Sequence, residues 1–102
     1  MNRYQIKIMP EAEENIREAY KDFKKENPIF AAKWREEIQN SILGLEQFPE
    51  SHAVAPESRS FDCEIRQLLY GRGTPWRIFF TIENRTVKVL HVRHGRRNYW
   101  NG

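Results

Sequence analysis

The sequence predicts an α+β fold, a helical hairpin packed on one face of a four-stranded, mainly antiparallel twisted sheet in the order β-α-α-β-β-β. Three observations lead there. Apolar and polar residues alternate near both ends of the chain, the stretch between them carries apolar residues at helical spacing, and Pro or Gly punctuates the junctions.

Tyr4, Ile6 and Ile8 alternate with Arg3, Gln5 and Lys7, the period of a half-buried strand. Pro10 ends that strand and suits the first turn of a helix, with Glu11, Glu13 and Glu14 at the positive end of the helix dipole. Ala12, Ile16, Ala19, Tyr20 and Phe23 recur at helical spacing up to about Glu26, where Asn27-Pro28 interrupts them. Phe30, Ala31, Trp34, Ile38, Ile42 and Leu45 then mark a second amphipathic helix, from Ile29 to Gln47, closed by Pro49. So short a connection predicts an antiparallel hairpin. Glu50 to Ser60 reads as a surface loop. Strands are expected over Glu64–Tyr70, Trp76–Glu83 and Thr86–Arg93, the last two joined by a tight turn at Asn84-Arg85. Residues 98–102 are expected to form a flexible tail.

Parity assigns faces. In the third strand Trp76, Ile78, Phe80 and Ile82 should meet the helices, with Arg77, Phe79 and Thr81 on the other face. A core phase of Ile65, Gln67 and Leu69 turns Arg66, Leu68 and Tyr70 outward beside Arg77. In the last strand Leu90 and Val92 are expected inward, which places His91 and Arg93 on the arginine face and His94, Arg96 and Arg97 at its rim.

The chain of 102 residues has room for one domain, residues 1–102, and one modest core. No apolar run approaches the roughly 18 residues that cross a bilayer. The start lacks the apolar stretch of a signal peptide, so a cytoplasmic location and no membrane partner are expected. The lone Cys63 fits a reducing compartment and reads as a passive strand residue. Charge is divided along the chain. Residues 1–58 hold eight Lys and Arg against eleven Asp and Glu, near −3, while residues 59–102 hold nine against three, near +6. Eight of those nine cations are arginines, whose planar fork of donors suits phosphate or carboxylate oxygens. An acidic helical half and a basic sheet suggest a polyanionic or acidic partner.

The opening YQIKIMPEAEENI, then FPES, EIRQLLYG and WRIFFTIENRTVKVLHVRHGRR, in this order and spacing, resemble the RelE/ParE superfamily of toxins from type II toxin–antitoxin systems. The resemblance extends from Tyr4 to Arg97. It implies a small cytosolic toxin held inactive by a cognate antitoxin with an acidic, partly disordered segment. Members of the superfamily divide into RelE-like nucleases, which cut mRNA in the ribosomal A site, and ParE-like inhibitors, which poison DNA gyrase without being enzymes. The activity expected here is ribosome-dependent mRNA cleavage, with ribosome and mRNA as partners. The alternative is non-enzymatic inhibition of DNA gyrase, and a third reading is a binding module without toxicity.

Cleavage of this type needs a group to take the 2′-hydroxyl proton, cations for the phosphorane and a proton donor for the leaving oxygen, with no metal or cofactor. The resemblance places Arg77 on the phosphate, Arg96 or Arg97 as a second arginine, Arg66 as an additional clamp and His94 at a catalytic histidine position. Arg93, Arg96, His91 and Tyr99 are expected to bind nucleic acid or antitoxin, and Glu46 is a candidate base by loose analogy. Two departures count against a nuclease. Tyr99 stands only two residues after Arg97, and Gln67 and Leu68 occupy the place of the lysine pair of RelE-like toxins. Arg66 and Arg77 can equally be residues that grip an antitoxin carboxylate. His52 reads as uninvolved, and Trp34 and Trp76 read as core anchors.

Overall fold

A computed structural model describes residues 3–73, 75–95 and 100. Strand β1 spans Gln5–Ile8, helix α1 Pro10–Glu26 and helix α2 Pro28–Leu43. Three 3₁₀ turns follow, Gly44–Glu46, Pro49–Ser51 and Pro56–Ser60, and then β2 (Arg66–Tyr70), β3 (Trp76–Glu83) and β4 (Thr86–His94). The sheet order is β1-β4-β3-β2. β1 runs parallel to β4, and the other two pairings are antiparallel.

Both helices begin at a proline, whose fixed φ and missing N–H suit a first turn. Asn27 serves both. Its backbone N–H closes α1 on the Phe23 carbonyl at 2.8 Å, and its side chain caps α2 by accepting from the Phe30 N–H at 3.0 Å. One residue thus ends one helix and starts the next, which folds the hairpin tightly. α2 stops at Leu43, four residues short of the sequence expectation, because the chain tightens into the 3₁₀ turn at Gly44–Glu46.

The helical hairpin covers one face of the sheet. Ala12, Ile16, Trp34, Ile38 and Ile42 meet Ile78, Phe80, Val87, Val89 and Val92 in the main core. The rings of Phe23, Trp34 and Trp76 pack edge-on or tilted at 5.0–6.1 Å between centroids. Trp34 Nε1 is the one buried side-chain polar atom without a hydrogen-bond partner among the described residues.

β3 has the expected phase, whereas β2 is inverted. Leu68 stands opposite Ile78 and Tyr70 opposite Trp76, so both pack toward the helices, while Gln67 and Leu69 face the other way. Leu69, expected inside, is 53% exposed. Both phases of β2 contain apolar residues, and only its register against β3 selects one. β4 departs from regular alternation. Phe79 pairs with His91 and Phe80 with Val89, which leaves Leu90 as the extra residue of a β-bulge. The bulge turns Leu90 away from the helices, against expectation, and keeps Val87, Val89 and Val92 toward them.

The second face is not open. Ala55, Ile65, Phe79 and Trp100 form a smaller core there, flanked by Phe61 and Leu90. The chain before β2 closes over this face by pairing with the edge of that strand. The Gln67 N–H donates to the Ala53 carbonyl at 3.0 Å and the Ala55 N–H to the Ile65 carbonyl at 2.8 Å. Trp100, expected in a flexible tail, is 6% exposed.

Candidate binding face of the sheet

Arg77 lies on β3 facing away from the helices, as its parity predicts, but its guanidinium is occupied. Nη1 and Nη2 donate to the two carboxylate oxygens of Glu57 at 2.7 Å each, a bidentate pair. Nε and Nη2 also donate to Gln67 Oε1 at 3.0 and 2.7 Å. The Arg77 side chain is 12% exposed and that of Glu57 fully buried. Burial pushes the Glu57 carboxyl up, but hydrogen bonds from Arg77 and the backbone, together with the arginine charge, outweigh it and leave the pKa below its ordinary value. The guanidinium also lies over the Phe79 ring, 4.6 Å from its centroid.

His91 and Arg93 share this face, as expected. His91 Nδ1 contacts a carboxylate oxygen of Glu11 in the first turn of α1, and Arg93 Nε donates to His91 Nε2 at 3.0 Å. Because Nε2 accepts from arginine, the network assigns the ring proton to Nδ1, which donates to Glu11. The ring is stacked on Trp100 at 4.7 Å with planes 5° apart. Its Nε2 lone pair, the atom that could take a proton, is thus engaged by Arg93. Arg93 stands directly opposite Arg77, and Glu57 neutralises the repulsion that two such neighbours would otherwise feel.

Arg66 does not join Arg77. Standing opposite Phe80, it belongs to the other phase of β2 and turns to the preceding loop. Nη1 donates to the carbonyls of Glu50 and His52 at 3.1 and 2.6 Å, and Nη2 pairs with Glu64 at 3.0 Å. It staples that loop to the strand. His94 is likewise separated from Arg77. Alternation from Val92 brings it to the helix side, where it meets the Trp76 ring edge-to-face at 5.3 Å. There it lines a groove between α1 and the end of β4 with Asp22, Phe23 and Trp76. Glu46 pairs with Arg3 at 3.2 Å beside β1. His52 packs its ring against Phe80. Arg96, Arg97 and Tyr99 lie outside the described residues.

Glu57, Gln67, Glu11 and Trp100 shape this face, although the sequence assigned none of them to it: Gln67 was expected toward the helices and Glu11 only at the helix dipole. A signal for Glu57 existed. Pro-Glu-Ser occurs twice, at 49–51 and 56–58, and both copies open 3₁₀ turns. Only the second carries its carboxylate under the sheet, a choice invisible in the tripeptide itself. No group of three or more His, Cys, Asp or Glu among the described residues could hold a metal ion. No helix among them is long and apolar enough to cross a membrane.

The sequence matches, over residues 6–99, the family described as ParE toxin of type II toxin-antitoxin system, parDE. Its fold is similar to a solved chain of a chromosomal ParDE toxin–antitoxin system from P. aeruginosa, with a TM-score of 0.73 and 17% sequence identity, covering 92% of this chain and 98% of that one. No curated protein matches the sequence significantly. An opening strand, a helical hairpin and a three-stranded meander, with a family match across nearly the entire length, place this chain in the ParE toxin family of type II toxin–antitoxin systems.

Proposed function

We propose that this chain is a toxin that inhibits DNA gyrase without catalysing a reaction, and that a cognate antitoxin with an acidic segment holds it inactive in the cytoplasm. The observation that carries this reading is the state of Arg77. A transition-state phosphate needs guanidinium donors directed at the position where charge develops. Here each of the three guanidinium nitrogens donates to Glu57 or Gln67 within the chain. Arg66 and His94, the other described members of the expected nuclease constellation, face away from Arg77. The family match favours the same alternative over ribonuclease action.

Ribosome and mRNA are therefore not the partners proposed. The antitoxin would meet a surface of positive character, since residues 59–102 carry the excess of arginine. The test is a supercoiling and cleavage-complex assay with purified gyrase and chain, run beside primer extension on an mRNA in a translating extract. Lost supercoiling or trapped cleaved DNA, with mRNA intact, is the expected result. Cuts in mRNA that require translating ribosomes, with gyrase unaffected, would replace this reading with the nuclease one.

A further inference from the structure

We propose that Phe48 is the aromatic anchor by which the toxin docks on the protein it inhibits, its ring entering an apolar pocket of that protein; that the protein is DNA gyrase rests on the function proposed above. Phe48 lies in the left-handed region, with φ 54° and ψ 45°, between the 3₁₀ turns Gly44–Glu46 and Pro49–Ser51. Among the described residues the other non-glycine with positive φ is Asn84, a residue type that tolerates this conformation. A bulky side chain in it is strained. The Phe48 ring adds nothing to the fold that would offset this strain: it is 75% exposed and belongs to neither hydrophobic core. Strain without packing marks a position kept for contact with something outside the chain.

The segment that presents the ring is fixed. The Phe48 carbonyl accepts from the Ser51 N–H at 3.0 Å and the Ser51 hydroxyl at 2.7 Å, and the Pro49 side chain is buried. Arg66 Nη1 holds the carbonyls of Glu50 and His52, and the Tyr4 hydroxyl donates to the Glu50 carboxylate. A ring projecting from a held loop loses little freedom on binding, as suits an interface hot spot. The charges of this loop and of the residues that hold it are engaged within the chain. Glu46 pairs with Arg3, Glu64 with Arg66, and the Arg85 guanidinium lies over the Tyr4 ring at 3.9 Å. With these cations already committed, the site suits the uncharged centre of an interface with a folded target better than the acidic segment of an antitoxin.

The test compares the full-length wild-type chain with Phe48→Gly and Phe48→Tyr. Glycine takes φ 54° without strain, so the urea midpoint of Phe48→Gly should not fall below that of the wild type. The concentration for half inhibition of gyrase supercoiling should rise about tenfold or more in Phe48→Gly and stay within about threefold in Phe48→Tyr, which keeps the ring. A folded Phe48→Gly that inhibits like the wild type would overturn the anchor and leave the gyrase reading standing. A wild-type chain inert toward gyrase would overturn both. A lowered urea midpoint would assign the ring to the fold. Self-association of the wild type that Phe48→Gly abolishes in sedimentation would assign it to a second copy. Lost neutralisation by a co-expressed antitoxin, with gyrase inhibition intact, would assign it to the antitoxin.

Discussion

Replacing Arg77 with methionine removes the guanidinium while keeping most of the side-chain stem, and so isolates the charge. Glu57 is left with a side chain of zero exposure and without the two 2.7 Å hydrogen bonds that neutralise it. Breaking a buried ion pair from one side costs about 3–5 kcal/mol, since the remaining charge loses its compensation. Against a total of about 5–15 kcal/mol for a native protein, that is a large fraction. Urea unfolding at pH 7 should show it as a lower midpoint with an unchanged slope. The penalty should shrink on acidification. In the wild-type chain the Glu57 pKa lies below its ordinary value of 4.5, so the pair's contribution is present above that value and lost as pH falls through the folded one. In Arg77→Met burial acts without the arginine, the carboxyl takes a proton more easily, and the variant loses less on moving toward pH 4. The double variant Arg77→Met/Glu57→Leu should recover most of the lost stability, because paired replacement of a buried ion pair by apolar residues is often neutral. A penalty below about 1 kcal/mol at pH 7, or one indifferent to pH, would refute this account of Arg77. Loss of toxicity with stability intact would point instead to the phosphate-binding role implied by the sequence resemblance.

Two further outcomes follow from the hairpin and its contact with β2. Asn27→Ala removes the side-chain cap of α2 and should cost about 1 kcal/mol in urea unfolding, whereas Asn27→Ser should retain most of it. Equal effects of the two substitutions would deny the cap its part. The hydroxyl of Tyr70 donates to Glu37 on α2, and this hydrogen bond, helped by burial and by the carboxylate charge, pushes its pKa up to about 12. Absorbance titration should find one tyrosine that ionises about two units above the ordinary value of 10, a component missing in Tyr70→Phe. Since the folded value exceeds the unfolded one, the stability linked to Tyr70 is complete below pH 10 and is lost as pH rises from there through about 12. A Tyr70 that titrates near 10 would show that this contact is absent in solution.

The parts of the protein legible in its sequence are those governed by local rules. Alternation at Tyr4, Ile6 and Ile8, helical spacing from Ala12 to Phe23 and from Phe30 to Ile42, and the Asn27-Pro28 junction determined the elements and the hairpin. Each depends on neighbours within a few residues. The phase of β3 was equally legible, because one of its faces is aromatic and aliphatic from Trp76 to Ile82. The candidate site was legible only as a collection of residue types: a basic half, Arg77 and Arg93 on one face, and His91 beside them.

What those residues do was decided by contacts between distant parts of the chain. The phase of β2 was settled by its register against β3, since both phases of RQLLY contain apolar side chains. One extra residue, Leu90, reversed the parity of β4 midway, and no pattern within VKVLHVR distinguishes a bulge from regular alternation. Most consequential is Glu57, twenty residues before Arg77 in a segment that reads as polar loop. An arginine in a sequence is an unassigned charge, and whether it meets a phosphate, a partner's carboxylate or its own chain depends on what folding brings within hydrogen-bond distance. Here the tertiary structure brought Glu57 and Gln67 to Arg77 and laid Trp100 over His91, and so covered the face on which the sequence had placed its arginines.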